Sequence, residues 1–172
     1  NRMREKLQCF FKEFPVTIVY PVRRQRWLHW IDEETGEVRI GRKSTKKGSE
    51  YSAFAELYRI KTYLKEPNLK IKLIVLDMDE YKILNGWGAQ RKNHASKYDR
   101  IPNQFVEEII LERKEDYLQF IPYDLQEPFT SKEFAKAIKC NSQLAGVTLN
   151  LLNYLEVVKR VGKQGNAFLY ET

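Results

Sequence analysis

A chain of 172 residues with 42% hydrophobic and 31% charged residues has the composition of an ordinary globular protein. That length allows one medium domain, or a core domain of about 120 residues with a small appendage. No run approaches the roughly 18–20 apolar residues of a membrane span. The only cysteines, Cys9 and Cys140, lie far apart, which argues against a disulfide scaffold and for a reducing compartment, the cytoplasm by default. The opening residues Asn-Arg-Met-Arg-Glu-Lys lack a signal peptide's apolar stretch, although a chain that does not begin with Met leaves a lost leader open. A net charge of +7 and a pI near 9.3 favour a polyanionic partner, above all nucleic acid.

Taken in order, residues 2–14 place Met3, Leu7, Phe10, Phe11 and Phe14 on one face of a helix that Pro15 ends, with Cys9 expected in the core. The β-branched and aromatic runs VTIVYPV and WLHWI read as two strands separated by Arg23, Arg24 and Arg26. Asp32–Gly36 supplies a turn and EVRI the return strand of a hairpin. RKSTKKGS has no apolar member and reads as a solvated basic loop. Ala53, Phe54, Leu57, Ile60 and Leu64 form the apolar stripe of a helix over 50–64. IKLIVL (71–76) suits a central strand buried on both faces. Asn85-Gly86-Trp87-Gly88 then opens a long basic loop to about Asn103, followed by a strand at FVEEIILE, a short helix at KEDYLQFI and a linker at 122–128.

The last stretch, 129–170, has its own grammar. Thr130 with Glu133 makes a capping box, and Phe134, Ala135 and Ile138 form the inner face of a first helix. Asn141 or Ser142 caps a second, whose Leu144 or Ala145, Thr148, Leu149, Leu152 and Leu155 pack on the first. Gly162-Lys163-Gln164-Gly165 is a flexible, basic hairpin tip. Helix, turn, helix and hairpin in this order resemble a winged helix-turn-helix. The resemblance implies nucleic-acid contact by Ser142, Gln143, Gly146 and Val147 at the start of the second helix and by Lys163 and Gln164 at the wing. Two departures stand out. The second helix carries no Lys or Arg between Asn141 and Val158, so the usual arginine-to-guanine contact is missing, and Glu156 stands where a helix-ending Gly is common. This segment is nearly neutral, so most of the attraction must come from basic residues before it: Arg42, Lys43, Lys46 and Lys47 in one loop, and Arg91, Lys92 and Lys97 in the next.

The order of helix, three strands, helix and strand resembles the core of the PD-(D/E)XK nucleases. That resemblance implies a site of two carboxylates holding Mg²⁺ and a lysine steadying water. The nearest residues are Asp32 and Glu37, with Arg39 in place of the lysine, while Asp77 opens the acidic cluster 77–80. His29 and His94 have no partners at zinc-ligand spacing, and no phosphate-binding glycine motif occurs. The whole chain is also similar to members of an uncharacterised bacterial family that pairs a small sheet domain with a C-terminal wing.

The expected fold class is α+β, a small mixed sheet flanked by helices (1–122) followed by a winged helix-turn-helix (123–172). The expected function is DNA binding without a resident cofactor, Mg²⁺ entering only with a nuclease activity. A nuclease and a protein-interaction module are the competing readings, and no reaction is named by the residues.

Overall fold

Residues 2–85 and 95–172 are described in the computed structural model. Helix α1 (Arg2–Phe10) is one turn shorter than its apolar pattern, because Glu13 and Phe14 donate their N–H groups back to the Phe10 carbonyl and turn the chain before Pro15. Of its apolar stripe Leu7 is buried, while Met3, Phe10 and Phe14 are exposed. Cys9, expected in the core, is exposed as well. It stands two residues from Leu7, off the buried side of a helix that buries so little.

Strand β1 (Val16–Asp32) is one continuous strand where two were expected. The arginines at 23, 24 and 26 do not break it, since Arg24 and Arg26 meet carboxylates of the neighbouring strand. β2 (Val38–Arg39) returns antiparallel, with Trp30 opposite Arg39 and Ile31 opposite Val38. Gly36, at φ 70°, makes the turn, and Asp32 Oδ1 accepts the N–H groups of Glu34 and Thr35.

β3 (Leu69–Leu84) and β4 (Ala95–Leu111) complete a four-stranded sheet of order β2-β1-β3-β4. β3 lies inside the sheet as expected. Its side chains nevertheless alternate between buried and half-buried from Leu69 to Asp77, so one face is covered rather than two. It also continues through the acidic cluster, which the sequence reading placed beyond the strand. β4 starts at Ala95 and includes Lys97, Arg100 and Pro102, all expected in a loop. A proline is tolerated because β4 is an edge strand. Arg91, Lys92 and His94 lie outside the described residues.

The chain forms two compact units. The first gathers residues up to Tyr20, Tyr51–Leu73 and Ile109–Thr172, and the second Pro21–Glu50 and Ile74–Glu108. The segment 123–172, expected as a domain of its own, thus shares a unit with α1 and with all but the first residue of the helical stretch 50–63. That stretch is not one helix. It runs as a 3-10 turn (Glu50–Ser52), α2 (Ala53–Leu57) and a second 3-10 segment (Tyr58–Tyr63), with Ile60 at φ −115° and ψ 18°. Two tyrosines, Ile60 and Thr62 within six residues weaken the α-helical preference there.

The core of this unit is aromatic. Phe54 is fully buried and meets Phe120 edge to face at 4.8 Å, Tyr51 donates its hydroxyl to the Phe120 carbonyl at 3.0 Å, and Phe134 meets Tyr51 edge to face at 6.2 Å. Phe120 ends a 3-10 turn (Lys114–Phe120) whose Asp116 carboxylate accepts the N–H groups of Glu112 and Arg113.

The C-terminal segment consists of β5 (Phe129–Thr130), α3 (Ser131–Ala137), α4 (Ser142–Tyr154), β6 (Lys159–Gln164) and β7 (Ala167–Glu171). Its small antiparallel sheet has the order β5-β7-β6, Phe129 pairing with Tyr170; β5 was not anticipated. The Thr130–Glu133 capping box forms, and the Asn141 side chain accepts the Leu144 N–H at 2.8 Å. Ala145, Thr148, Leu149, Leu151, Leu152 and Leu155 are buried, Leu151 being the addition to the expected stripe. No helix among the described residues is long and apolar enough to cross a membrane.

Candidate nucleic-acid interface

In the second unit the chemistry begins with the pairing of two strands of opposite charge. Arg24 grips Asp77 with two hydrogen bonds, at 2.9 and 2.6 Å, and the Gln25 N–H adds a third at 3.1 Å. The Arg24 hydrogen bond holds the Asp77 carboxyl below its ordinary range despite burial. Arg26 Nη1 donates to Glu80 Oε2 at 2.8 Å, Arg100 Nε lies 3.4 Å from the same oxygen, and Lys82 Nζ lies 3.8 Å from Oε1. His29 Nε2 is 2.8 Å from Asp79 Oδ1, Asn103 donates to the other Asp79 oxygen at 3.2 Å, and the imidazole stacks on Tyr81 at 4.8 Å. The cluster 77–80 is therefore the acidic half of an ion-pair ladder.

This bears on the nuclease resemblance. The Asp32 carboxyl is held low first by the Thr35 and Glu34 N–H groups, that is, by turn-capping, with Arg39 at 4.0 Å. Glu37 is exposed, and its contribution is the carbonyl that accepts the Asp32 N–H. Asp77 is committed to Arg24. Among the described residues no three His, Cys, Asp or Glu side chains gather to hold a metal. These carboxylates do not fit the Mg²⁺ pair of that family.

The basic segment 41–48 is not the free loop its composition suggests. Arg42 O accepts from Leu28 N at 3.0 Å, Ser44 N donates to Arg26 O at 2.9 Å, and Gly48 N donates to Arg24 O at 2.7 Å, so the segment lies along the free edge of β1. Gln25 Nε2 fixes it further by donating to Ser44 O at 2.7 Å. Gly41 and Gly48 make this approach possible: a Cβ at either would fall on the carbonyl of Leu28 or of Arg23. Lys43 sits 5.6 Å from the centre of the Trp27 ring, and Lys46 and Lys47 are exposed. Arg42 joins Trp30, Arg39 and Leu84 around a shallow depression. Lys97 is exposed on β4 beside a second depression lined by Glu80, Tyr98, Asp99 and Arg100.

In the first unit, Ser142 and Gln143 are exposed at the start of α4, Gly146 has open space where a Cβ would point, and Lys163 and Gln164 are exposed near the tip of the β6–β7 hairpin. Val147 is half-buried. The hairpin also carries Arg160, whose guanidinium lies 4.2 Å from the Phe168 ring and 5.8 Å from Tyr170, with Lys163 5.0 Å from Phe168. Lys132 and Lys136 line a recess with Gln164 and Ala167. Arg160 was not among the contacts expected from the sequence; its spacing of three from Lys163 near a glycine pair was the available signal.

A family model matches residues 1–112, well over half of the chain. The chain belongs to the family described as Domain of unknown function (DUF8091). The family match ends ahead of β5, leaving the C-terminal helices and hairpin outside it. One relative, an uncharacterized protein of Treponema pallidum (strain Nichols), is 27% identical over 100 residues, covering 58% of this chain and 39% of the relative. The match thus spans well under half of that relative's length. No solved structure matches the chain.

Proposed function

We propose that the chain is a nucleic-acid-binding protein, with DNA its preferred form. The observation that carries this reading is the segment from β5 to β7: two capped helices and a hairpin, with Ser142 and Gln143 exposed at the start of α4 and Arg160 and Lys163 on the hairpin. In this reading it is a winged helix. The start of α4 faces base edges, where Gln143 is suited to an adenine, and the hairpin lies along phosphates. The guanidinium of Arg160, stacked on the Phe168 ring, has less side-chain freedom left to lose on meeting a phosphate.

Arg42, Lys43, Lys46, Lys47 and Lys97 in the second unit are the second set of phosphate contacts. Such contacts release counterions, so affinity must fall steeply with salt. The test is fluorescence anisotropy with labelled duplex and single-stranded DNA and RNA at low and near-physiological salt. Lys163→Gln and the double variant Lys46→Gln/Lys47→Gln are each expected to lower affinity and flatten the salt dependence. Undetectable binding to every nucleic acid at low salt would end this reading.

A further inference from the structure

The exposed side of α4 has no cation of its own, and another element of the same unit brings one to it. Gln143, Val147, Asn150 and Tyr154 recur at intervals of four, three and four, so they share one face of the helix, opposite the buried Ala145, Leu149 and Leu152. Gln143 is exposed and the other three are half-buried. The second 3-10 segment (Tyr58–Tyr63) packs against α4, and its Lys61 reaches this face. Lys61 Nζ donates to Asn150 Oδ1 at 2.7 Å and lies 4.7 Å from the centre of the Tyr154 ring and 5.5 Å from that of Tyr58. Lys65, just beyond the segment, lies 5.0 Å from the same Tyr154 ring.

The charges gathered here do not balance. Lys65 has an acidic partner, Glu156 Oε1 at 2.6 Å. The partners of Lys61 among the described residues are an amide oxygen and two rings, all neutral, and Asn150 takes only one of its three N–H donors. Its ammonium is therefore fixed on the α4 face with two donors and a full charge left for an anion from outside.

Distance decides which anion that can be. At 1.5 Å per residue, Asn150 lies about 10 Å along the helix axis from Gln143, and Tyr154 about 16 Å. The major groove of B-form DNA is about 12 Å wide, with phosphates along both walls. With Gln143 at a base edge, the far end of the face meets a groove wall, where a phosphate oxygen supplies the missing charge. Duplex RNA does not offer this combination, because its major groove is too deep and narrow for side chains to read. A single strand has no groove and holds base edge and phosphate at no fixed separation.

We infer that Lys61 supplies the phosphate contact that α4 lacks, and that the ligand of this face is duplex DNA entered through its major groove. The contact rests on the nucleic-acid reading and narrows it to one form of nucleic acid.

Fluorescence anisotropy with the full chain would compare labelled duplex DNA, duplex RNA and single-stranded DNA over a salt series. Wild-type protein is expected to bind duplex DNA most tightly. Lys61→Gln should weaken duplex DNA roughly tenfold at low salt, the loss of one charge-assisted contact. It should also lower the slope of log affinity against log salt by about 0.9, the signature of one phosphate given up. Lys61→Arg should restore both. Loss of the Asn150 hydrogen bond alone would leave the slope as it is, so the salt series separates a phosphate contact from a structural role. Lys61→Met, which keeps the apolar stem against the two rings, gives the same readout should Lys61→Gln fail to fold. If Lys163→Gln weakens duplex DNA while the Lys61 variants keep wild-type affinity and slope, the Lys61 contact falls and the nucleic-acid reading survives. If Lys61→Gln weakens single-stranded DNA or duplex RNA as much as duplex DNA, the groove assignment falls and that reading again survives. Undetectable binding of every nucleic acid at low salt would end both.

Discussion

Replacing Glu80 by Gln keeps the side chain's shape and removes its charge. The gross attraction of one ion pair at 2.8 Å, the Arg26 distance, is roughly 6 kcal/mol at an effective dielectric constant of about 20. Removing both charges from water cancels much of that, and the Arg100 pair, with its guanidinium 47% exposed, adds little after screening. Breaking a buried pair from one side costs about 3–5 kcal/mol. Because Gln can still accept one hydrogen bond, the expected loss is about 3 kcal/mol, near the lower end. Trp27 and Trp30 lie in the same unit, so tryptophan fluorescence against urea reads it directly. With a slope of about 2 kcal/mol per M, the midpoint should fall by roughly 1.5 M at pH 7.

The pH dependence has a definite sign. Burial pushes the Glu80 carboxyl up, but the Arg26 hydrogen bond and the charges of Arg26, Arg100 and Lys82 outweigh it, so its pKa in the folded protein is below the ordinary value. A lowered carboxyl stabilises the fold above the unfolded pKa of about 4.3, and that contribution is lost as the pH falls through the folded value. The gap between wild type and Glu80→Gln should therefore be full at pH 7 and close on acidification below about 4. Equal midpoints at pH 7, or a gap that widens in acid, would refute the assignment of Glu80 as the ladder's counter-ion.

Three further outcomes follow from the first unit. Phe54→Ala removes the ring that meets Phe120 and should cost about 3–5 kcal/mol, read from circular dichroism against urea; a loss under about 1 kcal/mol would place the core elsewhere. Thr130→Ala removes the reciprocal bonds with Glu133 and should destabilise by about 1 kcal/mol, whereas Thr130→Ser should recover most of it. Glu156 is left-handed at φ 63°, so Glu156→Gly should raise the melting temperature by roughly 2 °C despite the loss of its exposed contact with Lys65. An unchanged or lower melting temperature would mean that the Lys65 contact outweighs the strain.

Local chemistry was legible in the sequence wherever cause and effect lie within a few residues. Thr130 and Glu133 announce their capping box, Gly36 its turn, and Leu149 and Leu152 their burial. Glu156 announced its strained backbone by standing where glycine is usual. What stayed hidden depends on partners far along the chain. Arg23, Arg24 and Arg26 look like a strand break until Asp77 and Glu80, more than fifty positions on, are laid beside them. Pro102 looks like a loop residue until β4 is known to be an edge. For the candidate site, the exposure of Ser142, Gln143, Lys163 and Gln164 could be read from amphipathic spacing. Of Arg160 only the spacing of three from Lys163 was legible, because its stacking comes from a ring across the hairpin.

The two glycines that press residues 41–48 against β1 have a consequence for molecular recognition. A free loop carrying Arg42, Lys43, Lys46 and Lys47 would have to be ordered whenever it met a partner, and that ordering would be subtracted from the affinity. Here the backbone is already ordered by Leu28, Arg26 and Arg24, and only the ends of the side chains remain to be fixed. Gly41 and Gly48, which can touch no ligand through a side chain of their own, thereby lower the ordering cost that the four cations between them would meet on binding any anionic partner.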